Sequence, residues 1–215
     1  HGGGAMLLDE PERLHRIVQA VRQAVPLHIP VSAKMRLGVS NTHKALACAQ
    51  ALEAGGAASL VVHARTRDEG YRPPAHWVWI ARIRESVGVP VIANGEVWTP
   101  EDYQRCREVS GCEDVMIGRG AVTDPFLARR IKALNAGESV AVDRAADWQA
   151  LRPLLAEFWR LVQMRLQPGH APGRLKLWLA SLGNTFPQAQ ALCVEVRPMR
   201  TIETVNRVLV AHGVP

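Results

Sequence analysis

Lys34 and Arg36 stand two residues apart in PVSAKMRLG, and His63 closes the run SLVVH. A lysine ammonium at the mouth of a fold can stabilise negative charge developing in a bound ring. His63 read alone is as readily a structural histidine as a functional one; a lysine on the neighbouring segment favours the functional reading. Two glycine clusters follow, Asn94-Gly95-Glu96 in PVIANGEV and Gly118-Arg119-Gly120 in VMIGRGA. Glycine lets a ligand approach the main chain, backbone N–H groups released at a strand end attract anions, and arginine adds a fixed charge suited to a dianion. Glycines also occur in such loops for structural reasons alone, but two clusters on successive segments favour a phosphate site. Arg65, Arg67 and Tyr71 share the stretch after His63, where arginine is expected at the surface.

These residues need elements to bring them together. Four short runs rich in valine and isoleucine recur at 30–34, 59–63, 90–94 and 114–118. Each is apolar on both faces, the mark of a buried parallel strand. Helical patterns lie between them: one over DEPERLHRIVQAVRQAV with Asp9 as its cap, others over HKALACAQALEAGG, AHWVWIARIRESVG, TPEDYQRCREVSG capped by Thr99, and DPFLARRIKALNAG with Asp124 and Pro125 at its start. Asn-Gly after an apolar run is the strongest short hairpin signal. Here a helix follows, so the pair is predicted in a βα loop. Repeated strand–helix units joined by right-handed crossovers make a parallel sheet, with the polar strand ends on one rim.

The predicted fold class is α/β: half of a (β/α)8 barrel over residues 1–144, then a small helical domain over 145–215. The rim is then the catalytic face, and the last two strands carry the phosphate loops. A doubly wound open sheet competes, but its usual G-x-G-x-x-G is absent, and Gly2-Gly3-Gly4 follows no visible strand. Beyond 145 only helical patterns appear, DWQALRPLLAEFWRLVQMRL, GRLKLWLASL and TIETVNRVLVAH, with the turn-rich QPGHAPG as a joint.

The chain has 215 residues, 47% hydrophobic and 21% charged, as expected of one that buries a core. No apolar run reaches the ~18 residues of a membrane span. Neither a signal peptide nor membrane association is expected; a cytoplasmic location is. Four cysteines without C-x-x-C or metal spacing fit reduced thiols and no metal site. The net charge is +6, and residues 145–215 carry eight Lys/Arg against four acids, with no acid between Glu157 and Glu195. Such a stretch suits a polyanion, although a solvated helical face has the same composition.

In their order and spacing, PVSAKMRLG, VVHARTRDEGY, PVIANGEV and VMIGRGA resemble the tRNA-dihydrouridine synthases, a family of FMN-dependent flavoenzymes. GRLKLWLASL and VRPMR resemble the bacterial subgroup C, which modifies uridine 16 of the D-loop. The resemblance implies FMN as cofactor, NADPH as reductant and tRNA as substrate and partner, in an enzyme that is monomeric when full length. It implies that Lys34, His63, Asn94, Gly95, Glu96, Gly118 and Arg119 bind the cofactor. Arg36 and Tyr71 would meet the flipped-out uracil, and Arg174, Lys176 and Arg197 the tRNA. The family's catalytic cysteine lies in an N-x-G-C-P loop that this sequence lacks, and HGGGAML is similar to the segment just after it. The catalytic residue is therefore left unassigned, and the sequence is expected to begin just past that loop. The alternatives are an inactive tRNA-binding portion of such an enzyme, or another barrel oxidoreductase that binds FMN or phosphate.

Overall fold

A computed structural model describes residues 3–138 and 142–215; His1 and Gly2 of the opening HGGG lie outside them. The chain divides into two compact units, His1–Gly118 and Arg119–Pro215.

The first unit opens with a 3₁₀ turn, Gly4–Asp9, that runs into α1 (Pro11–Ala24). Asp9 therefore does not cap α1. It belongs to the turn, its carbonyl accepts from Lys44 Nζ at 2.7 Å, and Glu10 precedes the helix without a side-chain cap. Strand and helix then alternate: β1 (Ser32–Arg36), α2 (Ala45–Ala54), β2 (Ser59–His63), α3 (Trp77–Ser86), β3 (Val91–Asn94), α4 (Pro100–Ser110) and β4 (Val115–Met116). Helix α4 starts as its sequence predicts. Thr99 Oγ1 accepts from the Asp102 N–H at 3.1 Å, and Asp102 Oδ2 accepts from the Thr99 N–H at 3.2 Å. That reciprocal box satisfies two backbone donors of the first turn.

All four strands are parallel, in the order β1-β2-β3-β4. Asn94-Gly95 thus leads out of a parallel strand and turns no hairpin. The register places Arg36 opposite His63, His63 opposite Asn94 and Asn94 opposite Met116. Because side chains alternate along a strand, the sheet has two unlike faces. Met35, Leu60, Val62, Val91 and Ala93 point to one and are buried in a core with Leu14, Val18, Ala49, Leu52, Ile80, Ile83 and Cys106 from the helices. The other face carries Lys34, Arg36, Val61, His63, Ile92, Asn94 and Met116.

The second unit contains α5 (Arg119–Thr123), α6 (Leu127–Asn135), α7 (Arg144–Arg165), α8 (Ala171–Leu182), α9 (Pro187–Val196) and α10 (Ile202–Ala211). It takes in α5 and α6, which the sequence pattern groups with the βα repeats up to 144. The reason is tertiary: α5 packs on α8, and Trp178 Nε1 donates to the Val122 carbonyl at 3.2 Å. Helix α9 has no counterpart among the expected helices, because PQAQALCVEV is weakly amphipathic. Leu151, Leu155 and Trp159 of α7 build the core with Leu175 and Leu179 of α8, Leu192 and Val196 of α9 and Val205 and Leu209 of α10. Helix α6 begins only at Leu127, after Phe126, so Asp124 and Pro125 stand ahead of it and do not open it. Asp124 Oδ1 accepts from the Phe126 N–H at 3.0 Å, and its carboxylate also joins Asp147 on the buried Arg130 guanidinium. Buried charges are tolerated when paired and hydrogen-bonded in this way.

Candidate active site

The strand ends assemble one row of polar side chains. Arg36, His63 and Asn94 occupy matched positions on β1, β2 and β3, and Lys34 lies two residues back on the same face of β1. Main-chain pairing continues past the strands, with Ala64 N–H donating to the Asn94 carbonyl at 2.9 Å and Leu37 N–H to the Arg65 carbonyl at 3.1 Å. The Asn94 amide donates to the Met116 carbonyl at 2.8 Å, which ties β3 to the short β4. Lys34 is exposed on this face, yet partial burial of its ammonium, with the Arg36 guanidinium beside it, holds its pKa below the ordinary lysine value. An ammonium so disfavoured gains from an approaching anion or electron-rich ring edge.

The turn after β3 has unusual backbone. Gly95 has φ 121° and Glu96, though not a glycine, φ 60°. A Cβ at Gly95 would sit 3.0 Å from His63 Cδ2, so the glycine makes room for the imidazole. The Gly95 carbonyl accepts from Trp77 Nε1 at 2.9 Å. The Glu96 carboxylate is paired with the Arg65 guanidinium and accepts from Trp98 Nε1 at 3.1 Å. These contacts hold a left-handed residue that costs of order 1–2 kcal/mol. The Glu96 side chain thus braces the turn. Arg65, expected at the surface, is fully buried, and its Nε donates to the Pro74 carbonyl at 3.3 Å. Sequence reasoning missed Arg65 and Trp77, since neither carries a local signal for what it meets.

Tyr71 reaches back over the row. Its ring centroid lies 6.0 Å from that of His63 and 5.3 Å from the Arg36 guanidinium carbon. Arg36 Nη1 donates to the Thr66 and Gly70 carbonyls at 2.8 and 2.9 Å, so this arginine also organises the loop that bears Tyr71. Gly118 ends the first unit, and the space where its Cβ would stand is open. Arg119 is the first residue of α5.

The cysteines do not join this row. Cys48, Cys106 and Cys112 are buried in the helix-side core, and burial pushes the thiols of Cys48 and Cys106 up to about 11 and about 12. Cys193 lies on α9. Among the described residues no His/Cys/Asp/Glu cluster could hold a metal ion, and no helix is long and apolar enough to cross a membrane. In the second unit Arg174 and Arg197 are exposed. The Lys176 ammonium donates to the Met199 carbonyl at 2.5 Å, which joins α8 to the segment after α9.

Chemically, the row presents a cation at Lys34, an imidazole at His63 and an amide at Asn94 on one face of the sheet. The family model described as "Dihydrouridine synthase (Dus)" matches residues 1–167. A tRNA-dihydrouridine(16) synthase of Aquipseudomonas alcaligenes is 56% identical over 207 residues, 96% of this chain and 65% of that protein. The enzyme of the same name from Ralstonia nicotianae is 60% identical over 200 residues, 93% of this chain and 60% of its own. That of Cupriavidus necator is 57% identical over 215 residues, all of this chain and 65% of its own. The chain thus spans roughly three-fifths to two-thirds of the length of these relatives. On the matched profile and these identities, the chain belongs to the dihydrouridine synthase family.

Proposed function

We propose that these residues form part of the active site of an FMN-dependent enzyme that reduces uridine to 5,6-dihydrouridine in tRNA, at position 16 of the D-loop, with NADPH as reductant. The observation that carries the reading is the in-register row of Arg36, His63 and Asn94 with Lys34 on the same face. The names of the similar proteins support the substrate. The first unit is read as belonging to the carboxyl-terminal half of a (β/α)8 barrel, residues 1–144, and the helices over 145–215 as the part that grips tRNA. The full-length protein is read as a cytoplasmic monomer.

The donor set fits a flavin. A weakened ammonium suits the electron-rich edge of its ring, and Gly95 and Gly118 with the main chain of Asn94 and Glu96 suit its phosphorylated tail. When bound, the flavin supplies the electrons that saturate the C5–C6 bond of uracil. Lys34 holds positive charge at that ring edge, and His63, fixed by Gly95 and Tyr71, flanks it. Arg36 and Tyr71 receive the uracil, which must leave its stack before chemistry can reach it. The thiols of Cys48, Cys106 and Cys112 lie in the core on the far face of the sheet, out of reach of the row, so none of them gives C5 its proton. Arg174 and Arg197 hold tRNA phosphates, while Lys176 steadies the segment after Arg197.

The test is direct. The full-length protein, purified without added cofactor, is expected to be yellow with bound flavin. Given NADPH and unmodified tRNA, it should add two hydrogens to one D-loop uridine, read by mass spectrometry of the digested tRNA. A protein that neither binds flavin nor changes tRNA overturns the reading.

A further inference from the structure

The loop between β2 and α3 is closed by one carboxylate. Glu69 Oε2 accepts from the Thr66 N–H at 2.6 Å and from the Thr66 hydroxyl at 2.9 Å, and Glu69 Oε1 is 2.7 Å from His76 Nε2. Thr66 begins the loop and His76 stands at its end, where the His76 N–H donates to the Ala64 carbonyl at 2.8 Å. Away from Glu69 the loop tip is tied by the Arg67 N–H to the Gly38 carbonyl at 2.9 Å and the Asp68 N–H to the Val39 carbonyl at 3.0 Å, while its side chains lie open. Arg67, Asp68, Tyr71 and Arg72 are exposed, Tyr71 at 60%, and Gly70 stands at φ 61° with open space around it. Partial burial pushes the Glu69 carboxyl pKa up, but the hydrogen bonds from Thr66 and His76 outweigh it and hold the group ionised below its usual range.

We propose that Glu69 is a positioning residue for uridine reduction: its carboxylate pins both ends of the loop, and so sets Tyr71 in place over His63 and Arg36. The proposal rests on the reading of Tyr71 as a residue that meets the uracil. Glu69 reaches no reacting atom and acts through Tyr71. Arg36 completes the frame, because its two bonds to the Thr66 and Gly70 carbonyls fit only when the turn is closed. A misplacement of about 1 Å in such a frame costs up to a hundredfold in rate.

The full-length, flavin-loaded enzyme provides the test. Glu69→Ala should slow uridine reduction at least tenfold while NADPH reduces the flavin at the wild-type rate, a split that general unfolding does not produce. Glu69→Gln should restore most of the loss, because an amide can accept from Thr66 and donate to a neutral His76 ring. On a Tyr71→Ala background, Glu69→Ala should add no further loss, the sign of residues acting as one unit. Trypsin should cut after Arg67 faster in Glu69→Ala than in the wild type. An independent further loss in the double variant overturns the proposal, as does an unchanged cleavage rate. If Tyr71→Ala leaves uridine reduction intact, the reading of Tyr71 fails, and the clamp is judged by trypsin alone: faster cleavage sustains it, equal cleavage ends it.

Discussion

The two faces of the four-stranded sheet are made from the same strands, one residue out of phase, and they do different work. Met35, Leu60, Val62 and Ala93 look toward the helices and are sealed in the core. Lys34, Arg36, His63 and Asn94 look the other way and carry charge, an imidazole and an amide. Burial of the first set supplies stability, since apolar surface removed from water contributes about 25 cal/mol per Å². That stability holds the second set in an arrangement it would not choose for itself: a cation short of its ordinary pKa beside another cation, and a turn with a left-handed glutamate. A slip of one residue in register would exchange the two sets, so the apolar face specifies the position of the polar one.

The contrast can be broken from either side. The largest effect is expected at Leu60, fully buried on the helix side. Leu60→Ala should cost about 3 kcal/mol in denaturant unfolding, from lost burial and the cavity left behind. An effect well under 1 kcal/mol would mean that the helix face does not carry the fold.

Gly95→Ala acts where the two faces meet. Its φ of 121° disfavours any other residue, and the new methyl would press on the His63 ring. About 2 kcal/mol of destabilisation is expected, with a shifted His63 imidazole signal by NMR. An unmoved His63 signal would show that the glycine serves the turn alone.

Lys34 sharpens the contrast with the smallest cost to stability. In the full-length enzyme Lys34→Ala should slow uridine reduction, leave tRNA affinity nearly intact, and change folding stability by no more than about 0.5 kcal/mol. Equal loss of rate and tRNA affinity would remove Lys34 from the cofactor. The pH dependence has a definite sign. Folding lowers the Lys34 pKa from 10.5, so the folded state favours the neutral amine and is penalised wherever the charge must be carried. The penalty is present in full below the folded pKa and vanishes above 10.5, where both states are neutral. Lys34→Met should therefore raise Tm slightly near neutral pH, with the gain lost above pH 10.5. A gain that persists there would come from packing and not from charge.

Strand–helix alternation, the parallel sheet and the rim of polar strand ends were legible from 215 letters, because each depends on short-range periodicity and on caps such as Thr99. Lys34, His63, Asn94 and Gly95 could be picked out for the same reason, since a strand's last residues are marked by where its apolar run stops. Other features needed the folded chain. Arg65 looks like a surface residue until a partner carboxylate, Glu96, arrives from a different strand end 31 positions away. Glu69 reads as one acid in a charged loop until Thr66 and His76 close on it. Helix α9 shows little amphipathic signal because apolar Val194 is exposed while only Ala189, Leu192 and Val196 are buried, and α5 is too short to be marked by periodicity at all. Local pattern determines which face of an element must be buried. Which distant side chain satisfies a buried charge or holds a turn is decided by packing alone, because that energy exists only when the partners are already in contact.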